Sequence, residues 1–218
     1  MKTASTLISL IFLVLRAGGQ ETKPVEKGRL QIGIFSMPAV AYQRELKRDI
    51  DFITATGMKI EKKISPRLTM GSGLTYYSVQ LDMGRAHGGI CPSPLMSCRL
   101  FLNRSYLEIP FNLKINYNRE ERKVNPYLSF GIITAFTTKV RDESTDEMGG
   151  NPQILQNDGL RYSQNFMSIS FGTAFNFSKR FDLYLEPTFK YSLTSGFMGE
   201  SDPSVMSGLA LGMNYKFM

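Results

Sequence analysis

The chain has a single histidine, His87, and only two cysteines, Cys91 and Cys98. One histidine excludes an HExxH zinc site, which needs two imidazoles on one helical face. A Ser-His-acid triad would have to be built around that one ring, held on a strand and oriented by a carboxylate. Two cysteines beside one histidine are too few ligands for a structural metal centre. There is no glycine-rich phosphate-binding loop of the Walker type. Beyond its first residues the chain also lacks any apolar run of about 20 residues, the length that a membrane-crossing helix requires. These absences leave catalysis little support in the sequence and leave no helical membrane span after the first residues.

At the start stand Lys2, an apolar run from Leu7 to Leu15, then Ala17, Gly18, Gly19 and Gln20. A basic start, a short apolar core and a small-residue exit describe a secretory signal peptide over 1–19, cut near Gly19–Gln20. The run has no polar face, which argues against an amphipathic first helix. Residues 20–27 read as a short polar lead-in, and 28–218 as one domain. In an exported chain Cys91 and Cys98, which share one loop, are expected to form a local disulfide. The formal net charge of +7 is spread along the chain. It is read as turn, loop and lumen charge that meets anionic lipid headgroups in part, and no nucleic-acid partner is expected.

Period-two alternation of apolar and polar residues, the mark of a half-buried strand, recurs eight times. The segments are 28–42, 49–62, 66–80, 105–117, 126–138, 161–177, 181–194 and 204–217. The fourth is the clearest: Leu107, Ile109, Phe111, Leu113, Ile115 and Tyr117 alternate with Glu108, Pro110, Asn112, Lys114 and Asn116. Short connections near 62–66, 118–125 and 178–181 alternate with long ones near 43–48, 81–104, 139–160 and 196–203. Short-long alternation is the pattern of an up-and-down transmembrane barrel, whose periplasmic turns are short and whose outer loops are long. The expected fold is therefore all-β: an eight-stranded antiparallel up-and-down transmembrane barrel, closed because a strand in lipid can leave no open edge.

Eight alternating strands also suit a soluble lipocalin-like carrier or a sandwich. Side-chain size separates the readings. The polar face is crowded with small residues, among them Gly33, Gly57, Gly71, Gly73, Gly131, Gly172, Gly208 and Gly212, while the other face carries Phe, Leu, Ile and Met. The interior of an eight-stranded barrel is just wide enough to be filled by side chains, so the bulky face belongs outside, in lipid. Aromatics near strand ends (Tyr76, Tyr117, Phe136, Phe177, Phe181, Tyr191, Tyr215 and Phe217) fit interface girdles. The charges on the polar face then fall in the lumen: Asp51, Lys59, Glu61, Arg67, Glu108, Lys114, Glu186, Lys190 and Lys216. Buried charges are costly unless paired, so an ion network that plugs the lumen is expected.

The stretch Tyr106-Leu107-Glu108-Ile109-Pro110-Phe111-Asn112-Leu113-Lys114 resembles a signature of the PorT-like outer-membrane β-barrel family of Gram-negative bacteria. Gly71-Ser72-Gly73-Leu74-Thr75-Tyr76, Pro126-Tyr127-Leu128-Ser129-Phe130-Gly131 and Gly212-Met213-Asn214-Tyr215-Lys216-Phe217 fit the same pattern. The resemblance covers nearly the whole chain after the signal. It implies an outer-membrane location and a barrel fold rather than an activity. The family's namesake is tied to protein secretion, which implies periplasmic or membrane secretion proteins as partners. One departure is the ending Phe217-Met218, where such barrels commonly end on the aromatic residue itself.

The expected function is a non-enzymatic outer-membrane barrel with a structural or surface-recognition role, with outer-membrane lipid as its surroundings and no cofactor or metal. The alternatives are a secretion accessory barrel, a lipid-modifying enzyme using His87 with Ser93 or Ser97, and a soluble carrier. Asp142, Glu143, Asp146, Glu147 and Asp158 in the third long loop offer oxygens to calcium, but in no spacing that matches a calcium loop. They read as a solvated acidic loop.

Overall fold

The computed structural model describes residues 29–42, 51–87, 97–118, 123–146, 153–193 and 205–217; within them, residues 51, 81–87, 97–100, 102, 142–146 and 153–163 are described by their backbone alone. Eight strands form in chain order: β1 Leu30–Tyr42, β2 Asp51–Lys63, β3 Leu68–His87, β4 Ser97–Asn116, β5 Val124–Asp146, β6 Gln153–Asn176, β7 Phe181–Ser192 and β8 Val205–Lys216. Each pairs antiparallel with the next, and β8 returns to β1, so the sheet is a closed barrel. The closing seam runs from Gln31 opposite Lys216 to Tyr42 opposite Val205.

The β2–β3, β4–β5 and β6–β7 connections lie at one end. In the β2–β3 turn Pro66 sits between strand ends, Ile64 N–H donates to the Leu68 carbonyl (2.8 Å) and Leu68 N–H donates to Ser65 Oγ (3.1 Å). In the β6–β7 turn Ser178 Oγ accepts from the N–H groups of Arg180 (3.2 Å) and Phe181 (3.0 Å). A serine hydroxyl that holds a backbone N–H is the usual device for a short turn between strands. The start of β1 and the end of β8 share this end, joined by Phe217 N–H to the Leu30 carbonyl (2.9 Å).

At the opposite end the strands run further than the alternation predicts. The spans 81–104 and 139–160 read as loops from the sequence, yet β3 and β4 pair out to His87 opposite Ser97, and β5 and β6 out to Ser144 opposite Gln153. Alternation reports a strand with one wet and one apolar face. A hairpin with polar residues on both faces keeps its backbone ladder and loses that signal.

The faces separate as expected, and the apolar one is outside. Ile34, Met58, Phe111, Phe130, Ile132, Ile169, Phe171, Phe189 and Leu211 are exposed side chains on the barrel wall, and Phe171 retains 62 % of its surface. A continuous exposed apolar belt of this extent would be untenable in water. In lipid it is the only surface that fits.

Candidate functional site: the lumen

The candidate site is the barrel interior, and it is built in layers. Nearest the short-turn end, Lys216 Nζ lies 3.2 Å from Asp182 Oδ2, and Asn214 donates to Asp182 Oδ1 at 2.7 Å. Lys216 also donates to Asn176 Oδ1 (2.7 Å). Beside it, Glu61 accepts from Lys114 Nζ at 2.6 and 2.9 Å, accepts from Gln31 at 2.5 Å, and faces Lys59 Nζ at 3.3 Å. β2 brings Lys59 and Glu61 two residues apart to one face, and β4 supplies Lys114, which reaches Glu61 across β3.

The middle layer adds aromatic rings to the charges. Tyr127 Oη donates to Glu186 Oε2 (2.7 Å). Lys59 Nζ stands 3.4 Å over the Tyr184 ring, and Lys114 Nζ stands 4.2 Å over the Tyr127 ring. A lysine over an aromatic face is stabilised by the ring quadrupole, more so when both are desolvated. These rings fit because glycines face them. A Cβ at Gly172 would fall 2.3 Å from the Tyr127 ring, and one at Gly212 would fall 2.5 Å from the Tyr184 ring. Higher still, Glu108, with 1 % of its surface exposed, holds Lys190 Nζ at 2.6 Å.

Toward the long-loop end the lumen turns apolar. Met37, Ile53, Tyr77, Val79, Tyr106, Phe166 and Met206 are buried there. Tyr77 and Tyr106 are register partners, with rings stacked at 5.1 Å between centroids. Lys190 Nζ lies 5.8 Å from the Tyr77 ring, so the last charged pair abuts this septum. Parity turns both inward, Tyr77 with Thr75 on β3 and Tyr106 with Glu108 on β4. Below the septum, two cavities of about 80 and about 70 Å³ remain between the side chains. Each has the size of a few water molecules.

Of the nine charges expected in the lumen, seven lie there: Lys59, Glu61, Glu108, Lys114, Glu186, Lys190 and Lys216. Arg67 does not. It is exposed in the β2–β3 turn, where the strand face has ended and the turn carries its side chain outward. Asp51 opens β2 opposite Ala41, and its side chain lies outside the described residues. The sequence reading left Asp182 out of the network, although its place among the polar positions of β7 was visible. With Asp182, the described layers below the septum hold four lysines and four carboxylates.

The septum was also missed. Its residues are as apolar as the outer belt, so hydrophobicity alone does not assign them. Strand parity does: Tyr77 follows Thr69, Gly71, Gly73 and Thr75 at every second position of β3.

Other expectations fall outside the described residues. Cys91 and the Cys98 side chain do so, as do Ser93 and the side chains of His87 and Ser97, although His87 and Ser97 face each other in register. Asp142, Glu143, Asp146 and Asp158 lie on β5 and β6 with side chains likewise outside, as is Glu147. Residues 1–28, which include the expected signal and lead-in, are outside as well.

No protein-family model matches the chain. No curated protein matches it in sequence. Solved structures do resemble it. Neisserial surface protein A superposes with a TM-score of 0.53 at 15 % identity, covering 86 % of this chain and 97 % of that one. The attachment invasion locus protein Ail of Yersinia pestis gives 0.50 at 12 % identity, covering 88 % and 99 %. A major outer membrane protein from Thermus thermophilus gives 0.50 at 12 % identity, covering 86 % and 99 %. At these identities the likeness concerns the fold: the chain is a closed eight-stranded antiparallel barrel of the architecture seen in outer-membrane proteins.

Proposed function

We propose that the protein is an integral outer-membrane barrel with a plugged lumen and a structural or surface-recognition role, without enzymatic activity. The observation that carries this reading is the inverted distribution of side chains: an apolar belt outside and an ion-paired, hydrogen-bonded interior. An interior spent on internal pairing leaves neither a wide water path nor a substrate-sized pocket below the septum. Recognition then falls to the long connections, since loops on a rigid scaffold carry binding. In this reading the chain is exported through a cleaved signal, the short turns face the periplasm and the long hairpins face outward.

The PorT-like motifs around Glu108 and Tyr127 support kinship with that barrel family, and with it an accessory role in secretion. Glu108 and Tyr127 both serve the ion network, so the motifs are explained by packing without a secretion partner.

The test is an epitope tag inserted in the 88–96 connection and read with antibody on intact Gram-negative cells. The expected result is labelling of intact cells together with recovery in the outer-membrane fraction. Labelling only after the outer membrane is opened would overturn the orientation. Altered lipid A in cells carrying the parent chain but not His87→Ala would overturn the non-enzymatic reading.

A further inference from the structure

Among the described residues, the charges that remain outside the lumen are sorted by sign; Glu120 and Glu121 of the β4–β5 connection lie outside the described residues. Every carboxylate with a described side chain (Glu61, Glu108, Asp182 and Glu186) points into the barrel. At the short-turn end, Lys62, Arg67, Lys123, Lys179 and Arg180 are exposed, and among the described residues none has an ion-pair partner. They come from all three turns, so they are spread around the barrel and do not cluster on one flank. Arg29 and Lys63 stand half-buried at the same rim.

The depth of this ring is set by its neighbours. Tyr117, Phe177 and Phe217 are exposed at the same end, and Tyr215 packs against Phe181 (5.2 Å) and Phe217 (5.0 Å). Aromatic girdles sit at the level of lipid headgroups. Lys179 and Arg180 follow Phe177 by two and three residues, and Lys123 precedes the exposed Val124. The cations therefore lie just beyond the apolar belt, where the phosphates of the leaflet are. Unpaired lysine and arginine at that depth are attracted by negative surface charge.

We infer that this rim is a binding surface for anionic phospholipid headgroups of the leaflet on the short-turn side. It collects phosphatidylglycerol-type lipids around the barrel in preference to zwitterionic ones. The surface rests on the membrane-spanning reading and adds a lipid class and a side to it.

The test uses the full chain refolded into mixed nanodiscs, with spin-labelled phosphatidylglycerol and phosphatidylcholine as probes of the lipid shell. The parent is expected to favour the anionic lipid about two- to four-fold, and 0.5 M salt is expected to remove most of that preference. The combined Lys62→Gln, Arg67→Gln, Lys123→Gln, Lys179→Gln and Arg180→Gln variant is expected to fall to no preference. Lys139→Gln, at the other end, is expected to keep it. No preference in the parent, or an unchanged preference in the five-fold variant, would overturn the inference. Capture of poly-glutamate by the parent without any lipid preference would overturn it too, in favour of an acidic protein partner. The boiling-dependent gel shift of the same samples reports insertion separately. A retained shift without lipid preference removes the rim surface and leaves the barrel standing.

Discussion

Glu61 is the residue on which the lower lumen turns. It pairs with Lys114 and Lys59 and accepts from Gln31, with 6 % of its surface exposed. Removing one partner of such a cluster leaves a buried charge without compensation, at a cost of about 3–5 kcal/mol. Glu61→Ala is therefore expected to destabilise the barrel by that order in reversible urea unfolding in lipid vesicles. Combining Glu61→Leu with Lys114→Met and Lys59→Met is expected to recover most of the loss, because all three charges of the cluster are then gone and none is left without its counter-charge. Single variants that change stability by less than about 0.5 kcal/mol would show that the pairs are solvated and of surface strength.

A second residue-scale expectation concerns the glycine contacts. Gly212→Ala places a methyl against the Tyr184 ring and is expected to cost about 1–3 kcal/mol, the usual range for overpacking. Adding Tyr184→Leu should relieve the part due to the ring and leave the part due to the Ile34 carbonyl, which lies 2.5 Å from the same methyl. If Gly212→Ala is neutral in the same unfolding assay, the ring is not seated on the glycine. The sequence showed these glycines as a small-residue face. It did not show which rings they receive, because that depends on cross-strand register.

At the scale of the strand, the belt sets what each position tolerates. Phe130 lies in the apolar belt on β5, flanked in register by Leu113 and Ile169. Phe130→Arg is expected to cost about 2–4 kcal/mol, and Ile64→Arg, in the turn at the rim, about 0–1 kcal/mol. Equal costs at the two positions would contradict the assigned belt. Strand existence and facing were legible because lipid on one side and packed polar groups on the other impose a strict period of two. The upper parts of β3 to β6 were not legible, because the same backbone pairing there carries polar residues in both registers. Arg67 was misassigned for a related reason: parity was extended past the last paired residue into a turn.

For the whole molecule, the septum of Met37, Ile53, Tyr77, Tyr106, Phe166 and Met206 closes the end that the charged layers leave polar. The reading of a filled barrel from its narrow width anticipated closure and placed it entirely in the ion network. An apolar layer adds a barrier that ions cannot cross without losing hydration. Planar bilayers holding the protein are expected to show no conductance steps above the bare membrane, and vesicles to release no trapped sucrose. Sustained sucrose flux would place an open path through the lumen.

The central claim is that the barrel is inside out, apolar to its surroundings and polar within. It is tested most directly by refolding the chain into detergent, following strand content by circular dichroism and reading gel mobility with and without boiling. The account predicts strand signal only in detergent or lipid, with a compact band that shifts on boiling. A stable strand signal in plain buffer, with no heat-dependent shift, would contradict it and leave a soluble ligand carrier as the better description.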